Sequence, residues 1–132
     1  MAERTNGRMT DYVGAALTML IEIAPAFAVR NLDAMCAFYG KLLGLEATYK
    51  TPVYAVLRNG PVQMHLYPER DGKVAGQGSA YVFVHAVDDV YATAQAIAKI
   101  IHQISDQAYG LRDFLMEDPE GNRIGVAQRL PA

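Results

Sequence analysis

The segment AVRNLDA, Ala28 to Ala34, returns loosely as AVDDVYA, Ala86 to Ala92, at a shift of 58 residues. In each copy Ala-Val leads to an amide or acid able to cap a helix, followed by a branched apolar residue. Self-similarity over half a chain constrains the fold more than any local propensity, because it predicts two modules built to one plan.

The first module is expected to run strand, helix, then three strands. APAFAVRN alternates as a strand does. NLDAMCAFYGKLLG then changes to helical spacing, with Leu32, Met35, Tyr39 and Leu42 on one face, Asn31 as N-cap and Gly44 at the C-terminal cap. EATYK, VYAVLRNG and VQMHLY read as strands, the last two joined by the Arg58-Asn59-Gly60-Pro61 turn. In the second module AYVFVHAVDD is a strand and Asp89 the expected cap. Val90, Ala94, Ile97 and Ile101 would share one face of the helix VYATAQAIAKIIHQ, and LRDFLMED and NRIGVAQ flank the Asp118-Pro119-Glu120-Gly121-Asn122 turn. The glycine- and charge-rich PERDGKVAGQGS joins the modules. The expected layout is a flexible leader over 1–20 and one domain over 21–130, divided into module one (21–69), a linker (70–78) and module two (79–130).

A chain of 132 residues is long enough to bury roughly two thirds of its unfolded surface. With 12 Lys and Arg against 14 Asp and Glu, it carries no basic field for nucleic acid. The one cysteine, Cys36, excludes an internal disulfide and a thiolate zinc cluster, and a reducing cytoplasm is expected. The apolar run between Asp11 and Glu22 is too short to span a bilayer and lacks the order of a secretion signal. No nucleophile elbow, phosphate loop or dinucleotide fingerprint occurs.

Together, FAVRNLDAMCAFYGKLLG and GLRDFLMEDPEGNRIGVAQ resemble the vicinal oxygen chelate superfamily, which includes glyoxalases, extradiol dioxygenases, fosfomycin-modifying enzymes and bleomycin resistance proteins. The resemblance covers roughly residues 22 to 130. It implies an α+β fold of two βαβββ modules, each a cupped mixed sheet, paired across a homodimer so that the cups enclose ligand sites.

Strand alternation then assigns faces. Phe27 and Val29, then Val62, Met64 and Leu66, and finally Ile124 and Val126 are expected against the helices. Ala24, Ala26 and Ala28, then Gln63, His65 and Tyr67, and finally Arg123, Gly125 and Ala127 are expected in the cup. Aligning Asp89 with Asn31 also puts Val82, Val84 and Ala86 in the cup. In metal-dependent relatives, the resemblance implies one His, Glu or Gln ligand from each of four cup positions. Here three of these positions carry Ala24, Val82 and Gly125, and the fourth lies among Gln63, His65 and Tyr67. One imidazole with one amide does not hold a transition ion, so no metal and no cofactor is expected.

The ligand-binding candidates are His65, Tyr67, Gln63, Tyr54, Tyr109, Phe114 and Arg123, a set suited to stacking a flat or amphipathic molecule. Phe114 and Met116 also read as core. His85 reads as packing, His102 as a helix-end cation and Asp88 as solvent-exposed, while Arg112 and Asp113 either pair with each other or line the mouth. The YGLRDFLMEDPEGNRIGVAQ segment is most similar to bleomycin resistance proteins, so the expected function is metal-free binding of a small molecule by a homodimer, without nucleic acid or membrane partners. The alternatives are a metal-dependent lyase, dioxygenase or thiol transferase, and a metal-independent enzyme with His65 as general base.

Overall fold

In a computed structural model that describes residues 19–132, the chain forms two four-stranded sheets, each with one helix. In the first, β1 (Ala26–Val29) leads to α1 (Leu32–Leu43), followed by β2 (Glu46–Thr51), β3 (Tyr54–Asn59) and β4 (Val62–Pro68). In the second, β5 (Ser79–Phe83) leads to α2 (Val87–Ile97), β6 (Lys99–Asp106), β7 (Leu111–Glu117) and β8 (Arg123–Arg129). The sheet orders are β1-β4-β3-β2 and β5-β8-β7-β6. In both, the first strand runs parallel to the last and the other pairings are antiparallel. This is the α+β, twice-βαβββ arrangement expected from the sequence. Most of the leader expected over 1–20 lies outside the described residues.

Helix α1 forms as its sequence dictates. The Asn31 side chain accepts from Ala34 N at 3.0 Å, and Gly44 closes the helix at φ 68°, in the left-handed region that glycine adopts without steric cost. Leu32, Met35, Phe38, Tyr39 and Leu42 pack against Phe27, Val29, Leu57, Met64 and Leu66 from the sheet. Val62, at the start of β4, is exposed instead.

Helix α2 departs from expectation at both ends. Its N-cap is Ala86, three residues before Asp89, and the cap bond comes from another element: Gln128 Oε1 on β8 accepts from Val87 N at 3.0 Å. Asp88 and Asp89 lie in the first turn, where carboxylates favour the helix dipole. At the far end the helix stops at Ile97, and Lys99 to Asp106 form β6 beside β7. Ile101 and His102 therefore belong to a strand. The segment's β-branched Ile100, Ile101 and Ile104 suit that strand as well as a helix face.

The earlier cap has a consequence for the site. Moving the alignment by three, an odd number, turns every residue of the preceding strand to the opposite face. Ala80, Val82 and Val84 pack toward the core, whereas Tyr81 and Phe83 are exposed on the other side. The assignment of Val82 and Val84 to the cup is thus corrected, as is that of Ala86, which caps the helix.

The two motifs behind the family resemblance meet in space. Tyr39 of α1 donates to Asp118 Oδ2 at 2.5 Å, and Asp118 also accepts from the backbone N–H groups of Glu120 and Asn122 and from Asn122 Nδ2. Glu120 in turn accepts from Arg30 N and, at 2.8 Å, from Asn31 N. The turn between β7 and β8 is therefore tied to the entrance of α1, which sets one module against the other.

Candidate functional site

On the first sheet, β3 and β4 bring four of the expected side chains to one face. Val56 pairs with His65 and Arg58 with Gln63, so alternate residues Tyr54, Gln63, His65 and Tyr67 project to the side away from α1. Tyr54 Oη lies 2.8 Å from His65 Nδ1, and Gln63 Oε1 lies 2.8 Å from His65 Nε2. The imidazole thus bridges the Tyr54 phenol and the Gln63 amide, with both ring nitrogens engaged. Tyr54 also stacks with Tyr67 (centroids 6.1 Å apart, interplanar angle 8°), and the Arg70 guanidinium sits 4.9 Å from the Tyr67 ring. Opposite them on β1 stand only Ala26 and Ala28, which leave room above His65 and Tyr67.

The second sheet carries a different arrangement, one that the sequence reading missed. Tyr81 on β5 pairs with Gly125 on β8, and Gly125 pairs with Leu115 on β7. A Cβ on Gly125 would lie 3.3 Å from three carbons of the Tyr81 ring. The absence of a side chain at Gly125 thus seats the ring of its neighbour. Next to it Phe83 stacks with Tyr81 (5.7 Å, 24°), and Arg129 lies over Phe83 at 4.4 Å.

Asp113 anchors the cluster. It is only 6% exposed, accepts from the Tyr81 phenol, and accepts from Tyr109 Oη at 2.7 Å and from Gln107 Nε2 at 3.0 Å. Burial pushes its carboxyl pKa up, but the hydrogen bonds from Tyr109, Tyr81 and Gln107 outweigh burial and hold it below the ordinary value of 3.8. The Tyr81 phenol is raised by desolvation and by its bond to Asp113, and that of Tyr109 by its own bond to Asp113.

Of the other expected residues, Tyr109 joins this cluster. Phe114 does not lie on the open face: its side chain is 2% exposed and packs on Tyr91 with centroids 4.9 Å apart, on the helix side. That follows from alternation, since Asp113 and Leu115 hold the concave side. Arg123, at the end of β8, is engaged by Glu117 at 2.9 Å. Arg112 pairs with Asp88 and Asp106 rather than with Asp113.

Two hollows adjoin these side chains. One, of about 510 Å³, lies between the modules and is lined by Ile23, Leu45, Gln63, Tyr81, Val82 and Phe83 among others. The other, of about 710 Å³, lies on the concave side of the second sheet, against Tyr81, His102, Gln107, Tyr109, Asp113 and Gly125. Tyr81 borders both.

The donors do not fit a transition ion. Both His65 nitrogens are already engaged, the space above Gly125 is filled by ring carbons, and among the described residues no three His, Cys, Asp or Glu side chains converge.

A family model for the glyoxalase/bleomycin resistance protein/dioxygenase superfamily matches residues 21–126. The chain belongs to this superfamily. Among curated relatives, the bleomycin resistance protein of Geobacillus stearothermophilus is 24% identical over an alignment of 131 positions that covers 84% of this chain and 98% of that protein. Among solved structures, a bleomycin-binding protein complexed with bleomycin superposes with a TM-score of 0.66 at 18% identity, covering 82% of this chain and 98% of that one. A lactoylglutathione lyase from Agrobacterium tumefaciens gives 0.68 at 23% identity, covering 81% and 92%. At such identities the superpositions establish the fold that this superfamily member shares with both a binder and a lyase.

Proposed function

We propose that this superfamily member is a metal-free binding protein that sequesters a flat, amphipathic or aromatic small molecule in its concave faces, working as a cytoplasmic homodimer. The observation that carries the reading is Tyr81 lying over Gly125: where metal-dependent relatives are expected to present a ligand, this chain presents an aromatic ring. The remaining polar groups are arranged to hold rings in place. His65 bridges Tyr54 and Gln63, and Asp113 fixes Tyr81 and Tyr109. Similarity to bleomycin resistance proteins over most of the chain supports binding rather than turnover.

Among the described residues, lyase chemistry of the metal-dependent kind finds no donor set. A metal-independent reaction with His65 as general base would first have to break the Tyr54 bond to free Nδ1.

Calorimetric titration with bleomycin, with and without copper, tests the proposal. Saturable heat is expected, with no change in the recovered ligand. His65→Ala or Tyr67→Ala should weaken binding by about 1 to 3 kcal/mol, the scale of a lost stacking or hydrogen-bonding partner. Conversion of the ligand, or binding indifferent to both substitutions, would overturn the proposal.

A further inference from the structure

The segment between the modules holds a small hairpin that presents two cations to the first sheet. Asp71 and Gly72 both lie in the left-handed region, at φ 49° and 76°, as a two-residue type I′ turn requires. Arg70 and Lys73 flank that turn and bond to each other through both backbones, Arg70 N to Lys73 O at 3.0 Å and Lys73 N to Arg70 O at 2.7 Å. Residues paired in this way carry their side chains close together on one face, and like charges so placed repel. Nothing nearby neutralises them. Glu69 turns its carboxylate to Ala75 N at 2.8 Å, Asp71 is taken up in the turn itself, and among the described residues neither Arg70 nor Lys73 enters an ion pair.

Both cations meet the Tyr67 end of the first sheet. The Arg70 guanidinium lies 4.9 Å from the Tyr67 ring centroid, and Lys73 lines a hollow of about 190 Å³ with Tyr67, Ala26, Ala28, Val74 and Gln77. Among the described residues no carboxylate lines it. Its volume is below the roughly 300 Å³ at which pockets for whole drug-sized ligands begin, so it suits one end of a ligand. Ala28 pairs with Tyr67 and Ala26 with His65, so the small side chains of β1 lead from this hollow toward the face that carries His65 and Tyr54. A guanidinium held against a ring keeps its fork of N–H donors, whose geometry matches a carboxylate.

We propose that Arg70 and Lys73, set opposite each other by the Asp71–Gly72 turn, form a subsite for the carboxylate end of an amphipathic ligand, with Tyr67 and the alanines of β1 as its apolar wall. The inference rests on the binder reading and assigns the ligand an acidic end and a place for it. A carboxylate between the two cations gains from both and removes a repulsion that the free protein carries. A neutral amide of the same shape brings no charge, and its N–H groups meet donors.

Titration of the full-length protein with benzoate and with its neutral counterpart benzamide, followed by amide-proton nuclear magnetic resonance, tests the assignment. Benzoate is expected to shift the Lys73 and Val74 signals saturably, and benzamide to bind about tenfold more weakly, the scale of one charge-assisted bond. Arg70→Gln and Lys73→Gln should each weaken benzoate about tenfold and leave benzamide unchanged, whereas Lys73→Arg should retain benzoate. Each Gln substitution removes one of two repelling charges, so neither should lower the melting temperature appreciably, which separates loss of the subsite from loss of the fold. Equal affinity for the two probes, or benzoate binding indifferent to both Gln substitutions, overturns the assignment. If benzoate instead shifts only signals on the second sheet, at Ser105 and Tyr109, the subsite is refuted while the binder reading stands, and bleomycin calorimetry judges that reading separately.

Discussion

Asp113 is a carboxylate that the fold buries and yet holds ionised, because three side chains donate to it. Its folded-state pKa is depressed, so the stability it contributes is present above the unfolded value near 3.8 and is lost as pH falls through the folded value below that. Thermal melts below pH 3.8 should therefore fall more steeply in the wild type than in Asp113→Asn, which has no proton to take up. Parallel acid limbs would contradict this. The phenols partnered with it behave in the opposite sense. Tyr81 and Tyr109 have raised folded values, so their contribution is complete below pH 10 and is lost only as pH rises beyond it. At this scale the sequence was readable where alternation could be anchored to a cap: Asn31 fixed β1, and the expected partners His65, Tyr67, Gln63 and Tyr54 do share a face. Tyr81 and Phe83 were missed because Ala80, Val82 and Val84 form an equally plausible apolar face on the same strand.

At the scale of elements, two features of α2 were hidden for physical reasons. Its first N–H group is capped by Gln128, far along the chain, which no local pattern records. Its end at Ile97 and the strand that follows share one run of isoleucines whose spacing fits a helix face, and only pairing with β7 turns that run into β6. The first helix, by contrast, carries its own cap, apolar face and terminating glycine, and forms as read. Between elements, the bond from Tyr39 to Asp118 ties the β7–β8 turn to α1. Burial of the Tyr39 phenol, together with that carboxylate, raises its pKa strongly. Tyr39→Phe should cost about 1 to 3 kcal/mol, because Asp118 is left short of a donor in a buried place. Urea unfolding measures that cost, and hydrogen exchange at Gly121 N–H, which bonds to Asp118 O, should speed up. A variant as stable as the wild type would mean that the turn holds without the helix.

At the scale of the whole molecule, β1 and β5 each end a sheet with one edge unpaired among the described residues, Met19, Leu20, Ile21 and Ile23 stand 73 to 94% exposed, and Ile23 lines the cleft between the modules. Unpaired edges and an exposed apolar run call for cover, and a second copy supplies it symmetrically. Sedimentation at micromolar concentration should give twice the 14.4 kDa chain mass, and a monomer there would contradict a cup shared between subunits. Whatever the assembly, the proposed metal-free function rests on the Tyr81 ring lying over Gly125. Elemental analysis of the purified protein tests this most directly. The arrangement of Tyr81 over Gly125, with His65 engaged at both nitrogens, predicts far less than one zinc, iron, manganese or nickel per chain. One tightly held transition ion per chain would contradict it.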